Sequence, residues 1–172
     1  LGIVTVGMTF ILLTGNIDIS VASTMLFSST VAAWAITNGF GLLPAIVFAL
    51  LAGTFIGAIN GFFISKMKIV SFIATLATFS IGRGLAILIS KTKNMYLGEA
   101  SRKIAETKLL GIPVIIFVFL VILVVGEIVL RKTQFGKQLF ALGYDKKIAA
   151  DVGINVQQKI FIVFVLTGIL AA

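Results

Sequence analysis

The sequence has no cysteine and no histidine, and only six acidic residues in 172. Without cysteine there is neither a disulfide framework nor a thiolate metal site, and without histidine there is no imidazole base, ligand or pH switch. Most hydrolytic chemistry loses its usual parts. Charge of either sign is scarce: 12% of residues are charged, against about 25% in an ordinary soluble domain. Asp18 is followed by an uncharged stretch over residues 19–65. A phosphate-cradling G-x-x-x-x-G-K-[ST] loop is also missing, the nearest string being Phe-Gly-Lys-Gln at 135–138, so nucleotide chemistry has no seat on this chain. No cofactor or metal site is expected.

What is abundant is apolar. Hydrophobic residues make up 59% of the chain and the mean hydropathy is +1.18, which rules out a soluble domain. The apolar runs are Leu1–Leu13, Val21–Ile36, Leu42–Ile64, Ile69–Ile89, Pro113–Leu130 and Ile160–Ala172. All six read as helices, because in lipid each segment must satisfy its own backbone, and the alternation of a β-barrel is not visible. The expected fold class is all-α, a polytopic transmembrane bundle forming one domain over 1–172. A crossing takes roughly 20 residues, so the four inner runs read as complete spans and the two end runs as truncated ones. Both ends read as cut, from the middle of a larger membrane protein.

The formal net charge of +8 does not point to nucleic acid, since the basic residues sit in short clusters between apolar runs. Loops 14–20, 65–68 and 131–159 hold eight Lys and Arg, against five in loops 37–43 and 90–112. Cytoplasmic loops carry the excess, which places 131–159 in the cytoplasm. Trp34 and Tyr96 suit the aromatic belt on the outer side.

Residues 14–20, Thr-Gly-Asn-Ile-Asp-Ile-Ser, break the apolar pattern with Asn16, Asp18 and Ser20. Two readings stand: a broken helix beside a translocation pathway, or an interfacial turn in which Asp18 caps the helix starting at Val21. Gly53, Gly57 and Gly61 recur at four-residue spacing, a face on which a second helix approaches closely. Asn60 on the same helix either bonds two helices together or touches a polar solute. Arg83, six residues before Ile89, needs about 9 Å of reach to the interface. It snorkels, pairs with Asp18 or with freed carbonyls, or meets substrate. Glu127 and Arg131 have the spacing of an i,i+4 contact.

The 131–159 loop reads as two short helices. In 134–142, Phe135, Leu139 and Leu142 share one face, with Gly143 as a left-handed stop. Asp145 caps a second turn, Lys146–Val152, that ends at Gly153. Such a hairpin either docks a partner through its apolar stripe or lies on lipid headgroups.

Three stretches then resemble one family, the inner-membrane permeases of ribose-type sugar ABC importers, whose relatives include autoinducer-2 systems. TGNIDISVAS at 14–23 resembles a Gly-Gly-Ile-Asp-Leu-Ser-Val-Gly-Ser signature, with Asn16 and Ala22 where glycine is usual. Residues 58–86 are similar to the family's Ile-Asn-Gly stretch running to Phe-Ile-Thr-Leu and Arg-Gly-Leu, with Val70 where proline is common. Residues 133–156 resemble the loop that docks on the ATPase, with Tyr144 and Asp145 replacing a frequent Gly-Asn. The resemblance implies a multi-pass permease of the bacterial inner membrane, itself not an enzyme. It would work with an ATP-binding-cassette ATPase subunit, a periplasmic substrate-binding protein and a second permease copy or homologue. It favours the pathway reading of Asp18, with which Asn16, Ser20, Asn60 and Arg83 stand as pathway candidates. Phe135, Gly136, Leu139, Leu142, Gly143, Asp145, Ala149 and Gly153 become ATPase-coupling residues. No pair of intramembrane carboxylates lies in the four inner runs, which disfavours the alternative, an ion-coupled carrier or channel for a small polar solute.

Overall fold

The computed structural model describes residues 1–93, 95, 102, 106–109 and 111–172. Among them are eight helices: α1 (Gly2–Leu13), α2 (Val21–Thr37), α3 (Leu42–Ser65), α4 (Ser71–Ser90), α5 (Val114–Lys132), α6 (Gln134–Tyr144), α7 (Lys146–Asp151) and α8 (Val156–Ala171). The only strand pairing among these residues is a two-residue antiparallel contact of β1 (Lys108–Leu109) with β2 (Ile112–Pro113). The all-α membrane bundle expected from composition is therefore what forms. Tyr96 and Lys103, used above for the aromatic belt and the loop charge, lie outside the described residues.

The two prolines sit where a missing N–H costs little, Pro44 in the first turn of α3 and Pro113 just before α5. At the other end of α5, Arg131 and Lys132 face the negative pole of the helix, and the expected Glu127–Arg131 ion pair forms. Three of the four runs expected to cross fully are long and apolar enough to do so: α3 with 24 residues, α4 with 20 and α5 with 19. The fourth falls short. The polar break delays the start of α2 to Val21, and its 17 residues extend only about 25 Å at 1.5 Å per residue.

The long helices stand in the spatial order α5, α1, α8, α3, α2, α4, with α4 also touching α3. The contact of α3 with α8 is the most extensive, and the glycine spacing explains it. A β-carbon on Gly53 or Gly57 would collide with the carbonyl oxygens of Gly168 and Phe164, and one on Gly61 would lie 3.0 Å from the Phe161 ring. Gly168 returns the approach from α8, meeting the Gly53 carbonyl. One helix further out, Thr167 Oγ1 donates to the Gly7 carbonyl at 3.1 Å and ties α8 to α1.

One buried cluster joins Phe10, Ile11, Ile64, Val163 and Phe164 of the long helices to Leu139, Leu142 and Ala149 of the α6–α7 hairpin. The hairpin is thus built into the base of the bundle. Ser71 reaches the 14–20 break, and Gly143 lies against the Leu13 carbonyl. The 14–20, 66–70 and 133–155 connections therefore share one end.

Candidate functional site

The break between α1 and α2 begins with Thr14, whose hydroxyl donates to the Ile11 carbonyl at 2.7 Å. Gly15 then takes φ +67, a conformation that side chains disfavour, and the Asn16 amide returns to Thr14 Oγ1 at 2.8 Å. From there the chain runs without helical bonds to Ser20, so its amides need partners from elsewhere. Helix α4 supplies two: Ser71 Oγ accepts from Ile17 N and Thr75 Oγ1 from Ile19 N, each at 3.2 Å.

A relay of side chains crosses the same region. Asp18 Oδ1 accepts from Ser20 N at 2.8 Å and from Ser20 Oγ at 2.6 Å. Ser20 Oγ in turn accepts from Asn60 Nδ2 at 2.8 Å, and Asn60 Oδ1 accepts from Thr78 Oγ1 at 2.7 Å. All four residues are buried, and among the described residues no buried side-chain nitrogen or oxygen lacks a partner. The relay joins the break to α3 and α4, and a satisfied network in a low-dielectric setting holds its members rigidly.

This geometry sets aside the capping reading of Asp18. Its carboxylate closes a turn onto Ser20 and makes no cap bond to the first turn of α2. Asn60 bonds helices together. Asn16, Asp18, Ser20 and Asn60 are brought to one place, and Arg83 is not. Arg83 lies on the exposed face of α4, opposite Thr75, Thr78 and Gly82, and forms no ion pair with any described residue. The pairing with Asp18 is therefore corrected. Ser80, Arg83 and Gly84 share that free face at i, i+3 and i+4, and a β-carbon on Gly84 would meet open space.

The hairpin corrects two further expectations. Leu139 and Leu142 are fully buried and Phe135 is half-buried under the Lys159 ammonium, 5.1 Å from its ring. The stripe is covered by the protein's own bundle and is not free for a partner. Gly143 does not stop α6, which continues to Tyr144. Glycine is needed there, and at Gly136, because the carbonyls of Leu13 and Leu130 approach too closely for a side chain. Asp145 does cap α7, accepting from Lys147 N at 2.7 Å and Ile148 N at 3.0 Å, and Gly153 at φ +85 follows its end. What the hairpin shows outward is a different strip, Phe140, Tyr144, Ile148 and Val152, each more than half exposed.

Ser71, Thr75 and Thr78 were not singled out from the sequence. Their signal was present as hydroxyls at i, i+4 and i+7, continued by Gly82, on one face of α4.

The chain matches, over residues 1–172, a family described as the branched-chain amino acid transport system / permease component. It is 32% identical to the ribose import permease protein RbsC of Haemophilus influenzae, over 99% of this chain and 54% of that protein. It is 36% identical to the L-arabinose ABC transporter permease protein AraH of Azospirillum brasilense, over 98% of this chain and 50% of that one. The autoinducer 2 import system permease protein LsrC of Yersinia enterocolitica is 32% identical, over 97% and 47% respectively. The chain thus spans about half the length of the curated relatives it matches. No solved structure matches it.

Proposed function

The chain belongs to the branched-chain amino acid transport system / permease component family, and from that membership we propose that it is part of the transmembrane permease of an ATP-driven importer for a small sugar. Relatives named for ribose, arabinose and autoinducer 2 support the substrate class. The bundle supplies passage, and ATP hydrolysis belongs to a separate ATPase subunit, because this sequence has no phosphate-cradling loop. A periplasmic binding protein delivers the solute, and a second permease copy or homologue completes the pathway. The setting is the bacterial inner membrane, crossed several times, with the hairpin end in the cytoplasm.

The observation that carries the pathway is the free face of α4. An arginine left on an exposed face within a membrane helix is costly unless it meets water or another polar surface, and here it stands beside Ser80 and Gly84. That face lines the passage, and Arg83 offers the fork of donors that suits sugar hydroxyls. The relay through Asp18, Ser20, Asn60 and Thr78 sits on the opposite face and sets the position of α4. The outward strip of the hairpin, centred on Tyr144 and Ile148, is the surface offered to the ATPase.

Replacing Arg83 with glutamine keeps a polar side chain and removes the charge. In the full-length protein assembled with its partners, Arg83→Gln should lower labelled-sugar uptake at least tenfold while the amount of assembled complex stays normal. Unchanged uptake would return Arg83 to the role of an interfacial anchor.

A further inference from the structure

At the hairpin end a cavity of about 500 Å³ opens between the end of α3, the 66–70 turn, the start of α4, the broken segment, α7 and α8. Among the described residues its lining includes two lysines, Lys68 and Lys146, and no carboxylate. Lys68 sits in the left-handed region at φ +56, so the turn that carries it is sharply set. The Lys146 ammonium lies about one van der Waals contact above Gly15, 4.0 Å from where a β-carbon would stand.

Ser65 adds a donor without a partner among the described residues. It is 4% exposed and lines the cavity, yet its hydroxyl bonds to no described residue. Thr54, Thr75, Thr78 and Ser80 each return theirs to the carbonyl one turn back. Because among the described residues no fully buried side-chain oxygen is left unbonded, the Ser65 hydroxyl reaches accessible space, and Ser65 lines both this cavity and the cleft beside it. The N-terminus of the 20-residue α4 opens at the same rim, with Val70 and Ser71 in the lining and no side-chain cap. Its positive pole adds to the two ammonium groups.

A second cleft of about 560 Å³ adjoins the first through Ser65 and Gln157. It is walled by Phe62 and Phe161, with Lys66 at its side, and both rings are partly exposed. Two lysines, Ser65 and a helix N-terminus thus line one cavity, with an apolar way out beside them. We propose that this cavity binds a phosphate anion carried on the headgroup of an anionic membrane lipid, whose chains leave along Phe62 and Phe161. One anion held by Lys68 on the bundle and Lys146 on the hairpin clamps α7 to the α3–α4 turn. The inference does not depend on which solute is carried, because its readout is binding.

The test uses the full-length protein in detergent with short-chain phosphatidylglycerol, short-chain phosphatidylcholine or inorganic phosphate, read by native mass spectrometry and thermal unfolding. The wild type should retain phosphatidylglycerol at least tenfold more tightly than phosphatidylcholine. Lys68→Gln with Lys146→Gln should abolish that preference, Ser65→Ala should weaken it a few-fold, and Lys137→Gln on α6 should leave it intact. Equal retention of the two lipids by the wild type overturns the site without recourse to any variant. Saturation by inorganic phosphate at the concentrations where phosphatidylglycerol binds overturns the lipid as its source.

Discussion

Leu139→Asp should remove the folded protein, whereas Ile148→Asp, nine residues on in the same hairpin, should leave it folded and lose the ATPase. Leu139 is fully buried among Phe10, Ile11, Val163 and Phe164. Truncating such a leucine costs about 2–5 kcal/mol, and a carboxylate in its place adds the penalty of an unpaired buried charge. Ile148 is 53% exposed, and surface substitutions are usually within about 0.5 kcal/mol. Its side chain is free to enter a partner's groove, where each large apolar anchor contributes roughly 1.5–3 kcal/mol, a tenfold loss or more at about 1.4 kcal/mol per decade. Size-exclusion profiles of the solubilised full-length protein and co-purification of the ATPase read the two effects separately. A well-folded Leu139→Asp protein, or an Ile148→Asp protein that keeps its ATPase, would show that the wrong face of the hairpin has been assigned outward.

Gly57→Leu should be comparably severe, acting on assembly. The α3–α8 contact leaves no room for a β-carbon at Gly57, where the obstacle is the Phe164 carbonyl, a backbone atom that cannot rotate away. Overpacking in a well-filled interior typically costs about 1–3 kcal/mol, and here the helices must separate along the whole seam that Gly53, Gly61 and Gly168 share. Membrane levels of the full-length protein and its midpoint of thermal aggregation should both fall. Gly84→Leu is the control, because a side chain there meets open space. Equal loss from both variants would indicate that α8 is not the partner of the glycine face.

Helix positions were legible because lipid leaves a chain few options: apolar runs of sufficient length must close their own hydrogen bonds. The glycine face was legible for a related reason, since a four-residue repeat has one geometric meaning on a helix. Its partner was not, because Gly168 is a single glycine with no repeat to mark it. The hairpin shows the limit of periodicity more sharply. Helix α6 carries apolar residues on two faces, Leu139 with Leu142 and Phe140 with Tyr144, and spacing alone cannot say which face the bundle covers. Gly143 was read as a stop by its residue type, but the need for glycine came from Leu13, far away in sequence. The same holds for the polar break. Asp18, Asn60 and Arg83 were each visible as expensive groups in an apolar chain, yet only three-dimensional placement separates the two that join the relay through Ser20 from the cation that pairs with no described residue. Thr75 and Thr78 escaped notice because a hydroxyl in a membrane helix ordinarily bonds its own backbone, as both also do here.

The most direct test of the account is uptake of a labelled pentose by proteoliposomes holding the full-length permease, its ATPase and the binding protein. The account predicts uptake that requires ATP inside, vanishes when the ATPase carries a catalytically dead nucleotide site, and is unaffected by a protonophore. Uptake that survives the dead ATPase and collapses with the proton gradient would contradict it.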